Sequence, residues 1–161
     1  MKIKILIPIY NDWRSLFELL KNIDHQISEI DDEVSILVVN DGSNEEKENE
    51  SFEFKNIKSI KIINMKENKG HARCNAAGLK FIFEKEDFDC VIPMDGDGED
   101  RPEEIPQFIN RVEDSNDKII VGERVKRTEN LVFKTCYHIH KLITLTSVSY
   151  THLTLPTIYS V

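Results

Sequence analysis

Two periods alternate along the chain. Lys2–Ile9 (KIKILIPI) places apolar side chains at every second position and then runs apolar, the pattern of a strand. From Trp13 the apolar positions Trp13, Leu16, Phe17, Leu20, Ile23 and Ile27 recur at helical spacing. Val34–Val39 is a β-branched apolar run ending in the turn cluster Asn40-Asp41-Gly42-Ser43. The acidic stretch Asn44–Glu53 reads as a solvated loop or a short exposed helix. A third strand is predicted over Ile57–Met65, closed by Asn68-Lys69-Gly70. A helix from about His71 to Lys85 follows, with Cys74, Ala77, Gly78, Phe81 and Ile82 on one face. Asp89–Met94 predicts a short buried strand running straight into Asp95-Gly96-Asp97-Gly98-Glu99-Asp100. Pro102 sits where the first turn of a helix tolerates a residue without an N–H, and Ile105, Phe108, Ile109 and Val112 form that helix's inner stripe. Lys118–Gly122 predicts a fifth strand, and Leu131–Leu145 a last amphipathic helix.

Strand and helix alternating in this way predict an α/β fold with a mostly parallel central sheet flanked by helices. In such sheets ligands bind beyond the carboxyl ends of the strands. The clusters after the first, second and fourth strands (Tyr10-Asn11, Asn40–Ser43, Asp95–Asp100) are therefore expected on one rim.

Charge narrows the partners. The formal net charge is −8, but residues 1–123 carry −12 and residues 124–161 carry +4. A net-acidic body is poorly suited to nucleic acid, whereas the short basic stretch suits a local anionic group such as a phosphate or a lipid surface. Cys74, Cys90 and Cys136 lack metal-ligand spacing and read as reduced thiols, small buried residues in a cytoplasmic protein. The strand-like start argues against a signal peptide, and no window holds the roughly 18 unbroken apolar residues of a membrane span.

The strongest chemical signal is Asp95-Gly96-Asp97-Gly98-Glu99-Asp100. Two carboxylates one residue apart at the end of a buried strand can present oxygens to one hard divalent cation, and Glu99 can add a third ligand. An acidic turn before a helix is the plainer alternative. Asp41 can accept a hydrogen bond from a nucleobase or a ribose hydroxyl, or serve ordinary turn chemistry. Asn11 or Asp12 can cap the first helix. Arg73 can meet a phosphate at the positive end of the second helix, or can simply be solvated.

Taken in order, Pro8-x-Tyr10-Asn11, Asn40-Asp41-Gly42-Ser43, Asn68-x-Gly70 with Gly78, and Asp95-x-Asp97 followed by Pro102-Glu103 resemble the motifs of family 2 glycosyltransferases of the GT-A fold. Gly70-His71-x-Arg73, Asp95–Pro102 (DGDGEDRP) and Gly122-Glu123-Arg124 are most similar to the branch of dolichol-phosphate mannosyltransferases and bacterial polyprenyl-phosphate sugar transferases. The resemblance covers about residues 2–146 and implies a nucleotide-diphosphate sugar donor and Mg²⁺ or Mn²⁺. It implies Pro8, Tyr10, Asn11, Asp41, Arg73 and Asp95 as donor-binding residues, with Asp41 at the nucleobase. Asp95, Asp97 and Glu99 become metal-side residues, Asp97 and Arg124 catalytic ones, and Arg124 with Arg127 the holders of an acceptor phosphate. Glu99 departs from the glutamine many relatives carry.

On this reading residues 1–146 are the donor-binding part of a fold incomplete at its C-terminus, because the family's acceptor-side segment is expected where the chain stops. The tail from 147 to 161 stands apart. The last 20 residues hold no charged side chain, where the overall composition would place about six. Val148–Val161 is either a surface strand or hairpin, or a segment foreign to the domain, and its lack of any amphipathic pattern favours the second.

The implied reaction is inverting transfer to a polyprenyl phosphate, which would place the protein at the inner face of the cytoplasmic membrane. The Leu131–Leu145 helix then lies at the membrane surface or packs on its own domain. Transfer to a saccharide hydroxyl, and an inactive fragment that only binds nucleotide-sugar, are the alternatives within the family. A phosphoacceptor receiver domain needs an acidic pair after the first strand, and a nucleotidyltransferase a Gly-rich basic loop there. Pro8-Ile9-Tyr10-Asn11 is neither.

Overall fold

Four parallel strands in the order β3-β2-β1-β4 form the centre of the computed structural model, which describes residues 1–45, 53–114 and 119–121. Met1–Ile120 is one compact unit; of the second, Val121–Val161, only Val121 is among the described residues. The strands are β1 (Lys2–Ile9), β2 (Glu33–Asn40), β3 (Ser59–Asn64) and β4 (Cys90–Pro93). The helices are α1 (Trp13–Gln26), α2 (His71–Lys85) and α3 (Ile105–Asp114), the last entered through a 3-10 turn at Pro102–Glu104.

β1 pairs with β2 from Lys2↔Glu33 to Ile9↔Asn40 and with β4 from Ile3↔Cys90 to Leu6↔Pro93. Alternation along β1 divides the core. Ile3, Ile5, Ile7 and Ile9 join Val34, Ile36 and Val38 beneath α1 and α3, packed against Trp13, Leu16, Phe17, Leu20, Ile23, Ile105 and Ile109. Leu6, Leu37 and Val39 face the other way, against Cys74 and Ile82 of α2. Each large apolar side chain removed fully from water contributes roughly 1.5–3 kcal/mol, so these two layers hold the strands in register. α2 approaches the sheet so closely at Gly78 that a Cβ there would lie 2.4 Å from Leu6 Cδ1 and 2.8 Å from Val39 Cγ2.

Most positions of the predicted stripes are buried in the core, with Leu19 of α1 an added one, while Ala77, Phe81, Phe108 and Val112 are only half-buried. The fifth strand does not follow the prediction over the part described. Ile119–Val121 carries no strand, and Ile119 and Val121 are 93% and 74% exposed, so their apolar side chains find no sheet face to cover. Residues 46–52 of the acidic stretch, the Leu131–Leu145 helix, Cys136 and the Val148–Val161 tail lie outside the described residues.

Candidate functional site

Because all four strands run the same way, Ile9, Asn40, Asn64 and Pro93 end at one edge of the sheet. Their turns touch in series. At the end of β1, Asn11 adopts φ +53°, a left-handed conformation asparagine tolerates better than most residues. Its backbone N–H donates to Ser43 Oγ (2.9 Å), its Oδ1 accepts the N–H groups of Asn44 (3.0 Å) and Glu45 (3.2 Å), and its Nδ2 donates to Asn44 Oδ1 (2.8 Å). Asn11 therefore braces the turn after β2. The cap of α1 is Asp12, whose Oδ1 accepts the Ser15 N–H at 3.2 Å.

Asp41, at the end of β2, is 4% exposed. Its Oδ1 accepts the N–H of Lys69 (2.9 Å) and its Oδ2 the N–H of Gly70 (2.8 Å), immediately before α2 begins. Gly42 has φ +72°, and a Cβ on it would come within 2.8 Å of the Glu67 and Asn68 backbone. Burial, and then the charge of Asp41, push the Cys74 thiol up to about 11, and its Sγ donates to the Val39 carbonyl (3.3 Å). Cys74 is thus an inert packing residue.

The first residue of α2, His71, brings its Nε2 to 3.5 Å from Asp95 Oδ1, with Asn75 Nδ2 2.9 Å from the same nitrogen. The Asp95 backbone N–H donates to Asp100 Oδ2 (2.8 Å), and the Glu99 N–H to Asp97 Oδ1 (2.9 Å), which folds the acidic loop on itself. A Cβ on Gly96 would stand 3.0 Å from the Pro8 carbonyl oxygen, so this loop lies over the end of β1.

The result is a cleft of about 160 Å³ lined by Pro8, Ile9, Tyr10, Asp12, His71, Asp95, Gly96 and Asp97. Of the expected site residues it gathers Pro8, Tyr10, Asp95 and Asp97. Asn11 and Asp41 lie behind it as braces, while Arg73, in the first turn of α2, and Glu99 are exposed on the rim without lining it. Arg124 and Arg127 lie outside the described residues. Among the described residues no three His, Cys, Asp or Glu side chains are gathered into a metal-ligand group. Sequence reasoning assigned no role to His71, although its place directly after Asn68-x-Gly70 at a helix start was a usable signal.

Compared with known proteins, the chain matches the family model described as glycosyl transferase family 2 over residues 4–156. It is 30% identical over 133 residues to the undecaprenyl-phosphate 4-deoxy-4-formamido-L-arabinose transferase of Proteus mirabilis, covering 83% of this chain and 40% of that protein. It is 29% identical over 121 residues to an uncharacterised protein of Methanocaldococcus jannaschii, covering 74% of this chain and 50% of that one. The chain thus spans half or less of the length of these relatives. Among solved structures, S. aureus TarS in complex with UDP superposes with a TM-score of 0.53 at 19% identity, over 79% of this chain and 40% of TarS, a likeness of fold. The parallel sheet with flanking helices is of the GT-A type, a fold whose family 2 enzymes typically use a divalent metal. With a family match over residues 4–156, nearly its whole length, the chain belongs to glycosyl transferase family 2.

Proposed function

We propose that this chain is the donor-binding part of an inverting glycosyltransferase that moves a sugar from a nucleoside-diphosphate sugar to a polyprenyl phosphate. The observation that carries the reading is the meeting of Asp95 and Asp97 with the start of α2 in one cleft at the carboxyl edge of the sheet. The undecaprenyl-phosphate transferase relative supports the acceptor, and TarS with UDP supports the donor.

The donor set fits Mg²⁺ or Mn²⁺. Two hard carboxylates line the cleft, and no third protein ligand is gathered with them among the described residues. Such cations are commonly held by one or two carboxylates, with water and substrate phosphate oxygens filling the remaining positions. When bound, the cation would neutralise charge on the departing diphosphate. Asp95 and Asp97 would hold it, with Glu99 as a third oxygen donor from the rim. Pro8 and Tyr10 shape the wall beside the donor, braced by Asn11. Arg73 can reach a phosphate from the first turn of α2, where the helix dipole favours an anion.

In transfer, an acceptor phosphate oxygen forms a bond to the anomeric carbon from the face opposite the leaving group. The bond from that carbon to the diphosphate breaks, and the electron pair leaves with the nucleoside diphosphate. A phosphate oxygen is already anionic at neutral pH, so no general base is required. Arg124 and Arg127 are assigned to orienting that acceptor by charge-assisted hydrogen bonds, beside the inner face of the cytoplasmic membrane. Among the described residues no helix is long and apolar enough to cross a membrane.

Calorimetric titration of the whole chain with UDP and with GDP, with and without Mn²⁺, tests the donor site. Mn²⁺ should tighten binding of one of them by roughly tenfold or more, and Asp97→Asn should remove most of that gain. Binding indifferent to Mn²⁺, and unchanged in the variant, would remove Asp95 and Asp97 from the donor site.

A further inference from the structure

We propose that Asp41 is a positioning residue: beyond any contact with a base, it fixes the start of α2 and so holds His71 against Asp95. The inference rests on the reading of Asp95 as a donor-side carboxylate.

Three observations converge on it. First, Asp41 is buried, and each carboxylate oxygen already accepts a backbone N–H, those of Lys69 and Gly70. Gly70 is the N-cap of α2 and supplies no side-chain cap. A helix start leaves N–H groups without partners, and a negative acceptor there also meets the positive end of the helix dipole. Asp41 thus satisfies from 29 residues away the N–H of the cap residue itself, the task of the N3 side chain in a capping box, and shares that N–H with Asn68 Oδ1 (3.0 Å). Second, the contact is backbone to backbone as well as through the carboxylate. Gly42 lies so close to Glu67 and Asn68 that no Cβ fits between them. The turn after β2 and the turn before α2 form one unit. Third, the residue that follows this clamp is His71, and its imidazole is the group that reaches Asp95 across the cleft.

The contacts thus form a chain: Asp41 to Gly70, Gly70 to His71 through one peptide bond, His71 to Asp95. A shift of α2's first turn by about an ångström would carry the His71 ring away from its place beside Asp95, where Nε2 stands 3.5 Å from Oδ1. Carboxylates that bind a cation are oriented by such outer partners, and loss of one typically costs roughly tenfold or more in affinity. His71 is then the group through which the β2 end of the site acts on the β4 end.

Two variants and two kinds of readout test this. Without any ligand, Asp41→Asn should speed amide hydrogen exchange at Lys69 and Gly70 and shift the His71 ring resonances in NMR spectra, while β2 amides stay protected. With ligand, the probes are UDP or GDP, whichever the wild-type chain binds, together with Mn²⁺, and the matching nucleoside. Asp41→Asn should weaken the diphosphate–Mn²⁺ pair roughly tenfold more than it weakens the nucleoside. His71→Ala, an exposed position that leaves the fold intact, should give the same selective loss, and the double variant should be no worse than the weaker single one. Equal losses for nucleoside and diphosphate in Asp41→Asn would overturn the proposal in favour of base contact alone. So would unchanged diphosphate–Mn²⁺ binding in His71→Ala, a result that decides the matter even if Asp41→Asn does not fold. A wild-type chain that binds neither diphosphate defeats the donor-site reading, and the ring resonances of His71 then judge the clamp by themselves.

Discussion

Single side chains in this protein often act by holding distant backbone. Asp24, near the end of α1, accepts the N–H groups of Lys55 (3.2 Å), Asn56 (2.8 Å) and Ile57 (2.9 Å), and so ties the segment entering β3 to the helix. Burial pushes its carboxyl up, but the three donors together outweigh this and leave it below the ordinary value of 3.8. A carboxylate depressed on folding stabilises the folded state above its unfolded pKa, and that stability is lost as pH falls through the folded one. Asp24→Ala should therefore cost about 1 kcal/mol or somewhat more at neutral pH, and the gap to wild type should narrow in urea titrations as pH falls below the ordinary carboxyl value of 3.8. A gap that persists undiminished in acid would assign the loss to packing instead. Asp24 carried no mark in the sequence, because the groups it serves lie more than thirty residues away. Asn11 and Asp41 were legible as residues of the rim, since turn-forming residues after apolar runs announce themselves. Their partners were not, and those partners turn both side chains into braces.

The elements themselves were mostly written in the hydrophobic pattern. β1 occupies the predicted Lys2–Ile9, and α2 the predicted His71–Lys85, because an uninterrupted period in each case ends at a polar or glycine boundary. β4 is shorter than Asp89–Met94, and Ile57–Met65 contracts to Ser59–Asn64, since apolar runs do not say where pairing stops. Pro102 does open the path into α3, though through a 3-10 turn. Ile119–Val121 forms no strand, for an apolar run becomes one only where a neighbour offers an edge. The spacing of α2 from the sheet is set by one absent side chain. Gly78→Ala would place a methyl group against Leu6 and Val39 at distances no relaxed packing permits, so either those side chains re-rotate or the helix moves outward. The expected cost is about 1–3 kcal/mol, read as a lower urea midpoint with an unchanged slope. An unaltered midpoint would mean that Leu6 and Val39 re-rotate freely, contrary to the tight layer described.

For the whole molecule, the order β3-β2-β1-β4 puts the first strand made between partners that appear at very different times. β1 meets β2 after a separation of about 30 residues, but β4 only after nearly 90. Closing the longer loop costs more chain entropy before any contact repays it, so the β1–β4 ladder should be the late event of folding. During synthesis the Asn11 and Asp41 turns can take shape while the Asp95 loop is still unmade, and the carboxylates arrive at a rim already in place. Pulsed hydrogen exchange during refolding should show amides of Ile36–Val39 protected before those of Val91 and Met94. Simultaneous protection would mean a single concerted nucleus. In the sequential case a ribosome-bound chain halted before residue 90 would already own the Pro8–Tyr10 side of its cleft, and the Asp95–Asp97 side would be the last thing the protein learns to build.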